Sequence, residues 1–304
     1  MINLSILEIG EVFNSTEQVI EDTLELVKLA DLLGYKRFWL GEHHENGIAW
    51  RSPDVLIAIL AGYTDSIRIG SGGVLLPLSS PLRIAQNYRL LSTIFPNRID
   101  LGLARGTTSD HIAKALLGGM DLNSNLKSHS LRIKETIEYL TNNSKTIDGK
   151  AITMAPSNSQ TPEIWVLGSS GNTLQTAFEM NVNYSFSLLH SFCKIKEIGN
   201  RKLFKEYINA FQNANDYKSK TSLTIGIVCA KKKRVYEEIQ NNHKGNVVIN
   251  IAGEKERCFD EINKLTEEFK TNEVMIYFIG NDYANKVYCY ESFSEMFNTE
   301  KRKL

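Results

Sequence analysis

Short apolar runs alternate with longer amphipathic segments along most of the chain. The runs are rich in Ile, Leu and Val and are too short for helices, which is typical of strands buried on both faces. We predict strands at Asn3–Leu7, Arg37–Leu40, Ile67–Leu76, Ile99–Leu103, Ile164–Leu167, Tyr184–Leu188, Leu223–Ala230 and Val274–Ile279.

The segments between these runs space their apolar residues as a helix does. Thr16–Leu33 is the clearest, and Gly34 follows it as a stop signal. A longer irregular stretch is expected before Ser128. The predicted helices are Thr16–Leu33, Pro53–Gly62, Pro81–Ile94, Ser128–Leu140, Thr173–Met180, one near Ile195–Phe211, one near Glu254–Phe269, and Ala284–Phe297.

Strand–helix alternation implies parallel strands joined by right-handed crossovers. About eight such units in 304 residues favour a closed (β/α)8 TIM barrel, built as one domain over residues 1–304. A doubly wound open sheet is the alternative. It is weakened because no G-x-G-x-x-G follows the first strand.

The composition excludes some classes of protein but does not identify a function. Lys+Arg and Asp+Glu both total 35, so the net charge is zero and a general nucleic-acid binder is disfavoured. Hydrophobic residues make up 42%, enough for a full core. The N-terminus resembles no signal peptide and no stretch resembles a membrane span, so we expect a cytoplasmic protein that does not act at a membrane.

The four cysteines lie far apart in the sequence and form no metal-binding pattern. No C-x-x-C occurs, and no cluster of several histidines and cysteines with ligand spacing is evident. We expect reduced thiols and no metal. The four are Cys193, Cys229, Cys258 and Cys289.

The active site of such a barrel lies at the carboxyl ends of its strands, so the residues that follow each strand are candidates. Glu42, His43 and His44 follow the second strand. Histidines beside carboxylates can act as acid, base or metal ligand, although no second cluster supports a metal. A hydrogen-bonded structural pair is the alternative.

Three further strand ends carry candidate ligand contacts. Gly72 and Gly73 allow close approach of the backbone to a ligand, with a β-bulge as the alternative. Arg105 suits a phosphate or carboxylate, with a rim salt bridge as the alternative. The turn after the fifth strand precedes a helix and can bind the same anion, with N-capping as the alternative; its residues are Gly168, Ser169, Ser170, Asn172 and Thr173.

These residues carry a family resemblance that spreads over nearly the whole chain. The chain resembles the bacterial luciferase-like monooxygenase family, the flavin-dependent (β/α)8 group. The matching stretches, in family order, are LGYKRFWLGEHH (33–44), IRIGSGGVLLPLSSPLRIAQNYRLL (67–91), NRIDLGLARG (97–106), PEIWVLGSS (162–170) and NEVMIYFI (272–279).

The resemblance implies a non-covalent flavin, usually FMN, across the strand ends, with the deazaflavin F420 as the alternative. It implies that the backbone at Gly72-Gly73 packs beneath the flavin ring, often through a non-proline cis peptide. Arg105 and the turn at Ser169 and Ser170 would bind the phosphate. His43 would serve as acid or base, and Glu42 would orient its surroundings.

Two departures from the family pattern affect the substrate side. ENGIAWRSPD (45–54) places Trp50 and Arg51 where the family has small residues, so they are candidates to line the substrate entrance; ordinary packing and surface charge is the alternative. The usual long insertion before the last βα unit is reduced to Lys231–Asn246. We expect a more open pocket, or one capped by a partner subunit.

Three functions follow from the resemblance. The first is a monooxygenase that takes reduced FMN from a separate reductase and uses O2 on a small organic substrate. The second is a flavin- or F420-dependent reductase of C=C bonds, for example dehydroamino acids in a modified peptide. The third is a flavin-binding protein without turnover. The resemblance also implies a homodimer through the third helix, whose apolar residues are Leu82, Ile84, Leu90, Leu91 and Ile94.

Overall fold

In the computed structural model, eight parallel strands pair edge to edge around a closed ring. The structure describes residues 2–12, 15–118, 121–190, 209, 220–243, 247–280 and 283–297. The strands are β1 (Asn3–Glu8), β2 (Arg37–Leu40), β3 (Arg68–Leu75), β4 (Ile99–Ala104), β5 (Ser144–Ile147), β6 (Lys150–Thr153), β7 (Glu163–Gly168), β8 (Asn183–Ser187), β9 (Thr221–Cys229), β10 (Ile251–Gly253) and β11 (Glu273–Phe278).

Helices follow most of these strands and cover the outside of the ring. They are α1 (Thr16–Leu32), α2 (Asp54–Gly62), α3 (Pro81–Ile94), α4 (Asp110–Leu117), α5 (Leu122–Lys127), α6 (His129–Thr141), α7 (Gly171–Glu179), α8 (Lys233–Asn242), α9 (Lys255–Phe269) and α10 (Tyr283–Met296). Within the described part of the chain, none of them has the length and apolar character needed to span a bilayer.

The strand order confirms the predicted closed barrel. The ring runs β1-β2-β3-β4-β7-β8-β9-β11, and β11 pairs with β1 to close it. An open doubly wound sheet would leave two free edges, so that alternative is wrong. All eight predicted strands are present, with ends that differ from the prediction by a few residues.

Side chains of each strand alternate between two apolar layers. Those on the outer face, such as Phe38 and Leu40 of β2, pack against the helices. Those on the inner face form a second cluster that fills the barrel, in which Trp39 packs edge-on against Trp165 at a centroid distance of 5.4 Å. This inner layer fills the barrel below the carboxyl ends of the strands, so a ligand enters from the carboxyl end.

Several elements differ from the prediction. The stretch expected to be irregular contains α4 and α5, and the antiparallel hairpin of β5 and β6 was not predicted. The Lys-rich run at 231–234, expected on a loop or at the start of a helix, leads into α8. The predicted helix near Ile195–Phe211 lies outside the described residues apart from residue 209, as does Cys193.

A buried cluster of charges ties the strands together at the amino end of the barrel. Arg37 is fully buried and pairs with Asp100 at 2.8 Å, with Glu163 at 2.7 Å and with Glu273. Burial lowers the pKa of Arg37, but the three carboxylates raise it by more, so the guanidinium stays charged. One side chain thereby links β2, β4, β7 and β11.

Asp100→Asn is expected to destabilise the fold strongly. It removes a buried carboxylate that pairs with both Arg37 and Arg68 and accepts a hydrogen bond from Trp39. Breaking a buried ion pair on one side costs about 3–5 kcal/mol. Urea unfolding followed by circular dichroism measures the loss.

Glu25→Gln is the matched control, because Glu25 forms an exposed pair with Lys28 on α1. Its loss should stay below about 1 kcal/mol. Equal losses for the two variants would show that the buried cluster does not stabilise the barrel.

Candidate active site

A cavity of about 470 Å³ opens at the carboxyl ends of the barrel strands. Its volume lies within the range of about 300–1,000 Å³ that small-molecule sites usually have. The structure brings most of the predicted site residues into its lining, from four different strand ends. They are Glu42, His43, Gly72, Gly73, Arg105, Gly168, Ser169, Ser170 and Thr173.

The carboxylate of Glu42 fixes the turn after β2. One of its oxygens lies 2.7 Å from Nε2 of His44, and the other accepts a hydrogen bond from the backbone N–H of Leu75 at 2.8 Å. Both side chains of this pair are buried. The alternative of a structural pair therefore describes Glu42 and His44, while His43 between them reaches the cavity.

His43 is the part of this motif that can exchange a proton with a ligand. Burial lowers its pKa below the ordinary value, and the nearby His190 and His44 lower it further, against the opposite effects of Glu42 and Glu45. The imidazole is therefore neutral at pH 7 and able to accept a proton.

The floor of the cavity is backbone without side chains. The peptide bond between Gly72 and Gly73 is cis, as the family resemblance implies. A Cβ at Gly72 would lie 2.9 Å from Leu7, and one at Gly73 would lie 2.7 Å from the carbonyl oxygen of Gly102. The predicted bulge is present too, since the register of β3 against β4 shifts between Ser71 and Val74.

Arg105 and the start of α7 form a polar end of the cavity. Ser170 caps α7 by accepting from the backbone N–H of Thr173, and the two hydroxyls lie 2.7 Å apart. Gly168 is required by close packing, because a Cβ there would lie 2.6 Å from Thr173. Among the described residues Arg105 has no acidic partner, so the alternative of a rim salt bridge finds no support.

A buried histidine lies close to this polar end. Both ring nitrogens of His129 are buried and find no hydrogen-bond partner in the described part of the chain. Burial, followed by the charges of Arg105 and Arg132, lowers the pKa of His129 to about 4. His129 is therefore uncharged at pH 7, and Arg105 remains the cation that lines the cavity.

Besides His44, which pairs with Glu42 and is absent from the cavity lining, three predicted residues lie away from the cavity. Asn172 is exposed on the first turn of α7, and Arg51 is exposed on the surface. Trp50 is buried, stacks on the backbone of Gly10 and donates a hydrogen bond from its indole N–H to the carbonyl of Gly41 at 3.1 Å. Trp50 is therefore packed as an ordinary core residue, which was the alternative to a place at the substrate entrance.

Sequence reasoning missed the contribution of β8 and β9 to the lining. Ser185, Ser187, His190 and Thr224 all face the cavity, and Ser185 and Thr224 share a hydrogen bond of 2.9 Å. The signal was available in NYSFS (183–187), where small hydroxyl residues alternate with aromatic ones. The period of two places the hydroxyls inside the barrel and the rings outside.

A second cavity, of about 600 Å³, shares no lining residue with the first. Helix α8 forms one wall of it, including Val235 and Ile239. The opposite wall comes from the ends of β9 and β11 and from the turn at Asn46–Ile48. No group of His, Cys, Asp and Glu residues in the described ranges is arranged to hold a metal ion.

The chain belongs to the luciferase-like monooxygenase family. The family model matches residues 6–201, well over half of the chain. The uncharacterized protein YceB of Bacillus subtilis (strain 168) is 30% identical, with 98% of this chain and 100% of YceB covered. N-acetyl-S-alkylcysteine monooxygenase of the same organism is 26% identical, with coverage of 99% and 100%. Members of the family are flavin-dependent monooxygenases or reductases, so this chain is a flavin-type oxidoreductase.

Solved structures share the fold closely. The crystal structure of apo-MsnO8 matches with a TM-score of 0.84 at 25% identity, covering 99% of this chain and 100% of that one. The oxygenating constituent of 3,6-diketocamphane monooxygenase from Pseudomonas putida, in complex with FMN, has a TM-score of 0.68 at 17% identity with 97% of each chain covered. An F420-dependent secondary alcohol dehydrogenase also reaches 0.68, at 12% identity with 99% of each covered. The last two share the fold, with FMN in one case and F420 in the other.

The alignment with YceB spans 343 positions, whereas this chain has 304 residues. YceB therefore carries segments that this chain lacks.

Gly73→Ala is expected to destabilise the protein, because the new methyl group would press against the backbone of β4 at Gly102. Overpacking of this kind costs about 1–3 kcal/mol. Gly62→Ala on α2 is the control, since a Cβ there meets only Phe95 at an ordinary 3.9 Å. Alanine in a helix should stabilise by up to about 1 kcal/mol. Urea unfolding of both variants tests this, and a Gly73→Ala protein as stable as the wild type contradicts it.

Proposed function

We propose that the protein is an FMN-dependent monooxygenase that uses reduced FMN and O2 on a small organic substrate. One observation carries the proposal: a single cavity combines a flat glycine floor, a polar end with one cation, and a neutral histidine. The floor suits a planar ring, the polar end suits a phosphate, and the histidine suits proton transfer.

The residues of the polar end fit the phosphate of FMN. Arg105 supplies a charge-assisted contact, and Ser169, Ser170 and Thr173 supply hydroxyl groups beside the amino end of α7. A terminal phosphate carries up to two negative charges, which favours FMN over the phosphodiester of F420 at a site of this kind. When bound, reduced FMN supplies the electrons for the reaction with O2.

The remaining residues orient the reactants and exclude water. His43 holds or moves a proton beside the glycine floor, and Glu42 keeps the turn that carries it in place. Aliphatic side chains form much of the remaining wall and keep water out of the cavity. They are Leu7, Leu75, Leu126, Leu167 and Leu189.

Two partners accompany this proposal. A separate flavin reductase would deliver reduced FMN, as the term "oxygenating constituent" suggests for the diketocamphane enzyme. A second copy of the chain would bind at α2 and α3, where Val55, Ile59, Leu90 and Ile94 are exposed. Of the other α3 residues in the prediction, Ile84 and Leu91 pack inward on the barrel.

A reductase of C=C bonds is the second candidate. The larger cavity favours it, because a volume of about 600 Å³ lined by the short helix α8 could receive part of a peptide. Such an enzyme would transfer hydride from reduced flavin or F420 without O2.

Arg105→Ala is expected to weaken FMN binding about 10- to 150-fold, since a hydrogen bond to a charged group contributes about 1.5–3 kcal/mol. Fluorescence titration of the apo protein measures the affinity. Arg51→Ala, an exposed arginine outside the cavity, should bind FMN as the wild type does. Unchanged affinity in Arg105→Ala refutes the phosphate assignment, and a wild type that binds F420 but not FMN overturns the choice of cofactor.

Isotope labelling separates the two enzyme proposals. With reduced FMN, 18O2 and a thioether such as an N-acetyl-S-alkylcysteine, chosen from the 26% identical relative, a monooxygenase leaves one 18O atom in the product. A reductase instead converts a dehydroamino-acid peptide without O2.

His43→Gln should lower turnover of the active substrate by about 10²- to 10⁴-fold while FMN affinity is kept. Equal turnover in variant and wild type would leave His43 with no catalytic role.

A further inference from the structure

A second histidine, His190, lines the same cavity as His43. It follows β8, the sixth strand of the ring, whereas His43 follows β2, the second strand. In a ring of eight strands these two ends lie on opposite sides of the mouth. A ligand in the cavity therefore has one imidazole on each side.

His190 is held in place by its own strand. The hydroxyl of Ser187, which is buried, lies 2.7 Å from Nδ1 of His190. The backbone at His190 pairs with Val247 in an antiparallel bridge, and the carbonyl of Leu189 accepts a hydrogen bond from the N–H of Val248. Because Ser187 occupies Nδ1, the nitrogen left for a ligand is Nε2.

The surroundings of the two rings disfavour a state in which both imidazoles are protonated at once. His43 is flanked by Glu42, His44 and Glu45 on its own turn and faces His190 across the cavity. Partial desolvation lowers the pKa of His190, and burial together with His190 lowers the pKa of His43. Glu42 and Glu45 act in the opposite direction and raise the pKa of His43, but burial and His190 outweigh them.

We infer that His190, positioned by Ser187, is a further acid–base residue of this cavity, and that a proton on either His190 or His43 disfavours a proton on the other. Nε2 of His190 accepts the proton of an acidic N–H or O–H group of the bound ligand, which keeps the electron pair. The reverse step returns the proton. The ligand's identity rests on the proposed function, whereas the pairing of the two histidines does not.

The first test needs no cofactor. The six imidazoles of the 15N-labelled full-length apo protein can be assigned and titrated by NMR. In His190→Gln, the pKa of His43 should rise toward its ordinary value of 6.5, because the opposing positive charge is gone. His111→Gln, an exposed histidine on α4, should leave the titration of His43 unchanged. An unchanged His43 in His190→Gln overturns the pairing.

The second test asks whether Ser187 sets the orientation of the ring. In Ser187→Ala, the 15N shifts of His190 should report a different balance of the two tautomers, since the partner of Nδ1 is removed. The same tautomer balance as in the wild type would show that Ser187 does not position His190.

The third test separates a chemical role from a structural one. His190→Asn keeps a polar group near Ser187, and His190→Gln keeps one near the position of Nε2, but neither side chain can carry the proton. In both variants kcat should therefore fall about 10²- to 10⁴-fold, and the pH profile of kcat should lose one of its limbs. FMN affinity should be retained. A wild-type pH profile in His190→Asn overturns the inference. If wild-type protein binds no FMN while the NMR coupling is present, the proposed function fails and the histidine pair stands.

Discussion

The buried guanidinium of Arg37 is the constraint on which the geometry of the barrel depends. It stands at the start of β2 and reaches carboxylates on β4, β7 and β11, three strands that do not pair with β2. A parallel strand that slipped by one residue would turn its inner side chains outward and leave a buried charge without its partner. The cluster therefore sets the register at one end of the barrel, and the geometry of the ligand cavity at the other end depends on that register.

The opposite end of the barrel has a different electrostatic character. Among the described residues, the cavity at this end is lined by one arginine, Arg105, by histidines that are neutral at pH 7, and by the Glu42 carboxylate that pairs with His44. Neutral imidazoles in a partly dry cavity can take up or release a proton without the cost of burying a permanent charge. Arg105 without an acidic partner among the described residues leaves the polar end complementary to an anion.

Local sequence was sufficient to predict the barrel, because each strand is an apolar run and each parallel connection needs a helix. It also located nine of the twenty residues that line the cavity, since a motif at a strand end must lie at the mouth of a barrel. It could not show the burial of Trp50, which depends on the positive φ of Gly10 in a distant loop. His190 was missed for the same reason: its role comes from facing His43 across the barrel, a relation between two strands far apart in the sequence that no local pattern contains.

The pairing of strand β10 bears on how proteins of this fold can vary. It pairs with the carboxyl-terminal residues of β9, beyond those that pair with β8, so β10 is hydrogen-bonded directly to a strand of the barrel wall. Most residues of the proposed cofactor cavity precede position 191, while the second cavity is built largely from residues beyond position 226. Helix α8 lines the second cavity and contributes no residue to the first. A change confined to α8 can therefore suit new molecules, and the part that would retain the cofactor need not change with it.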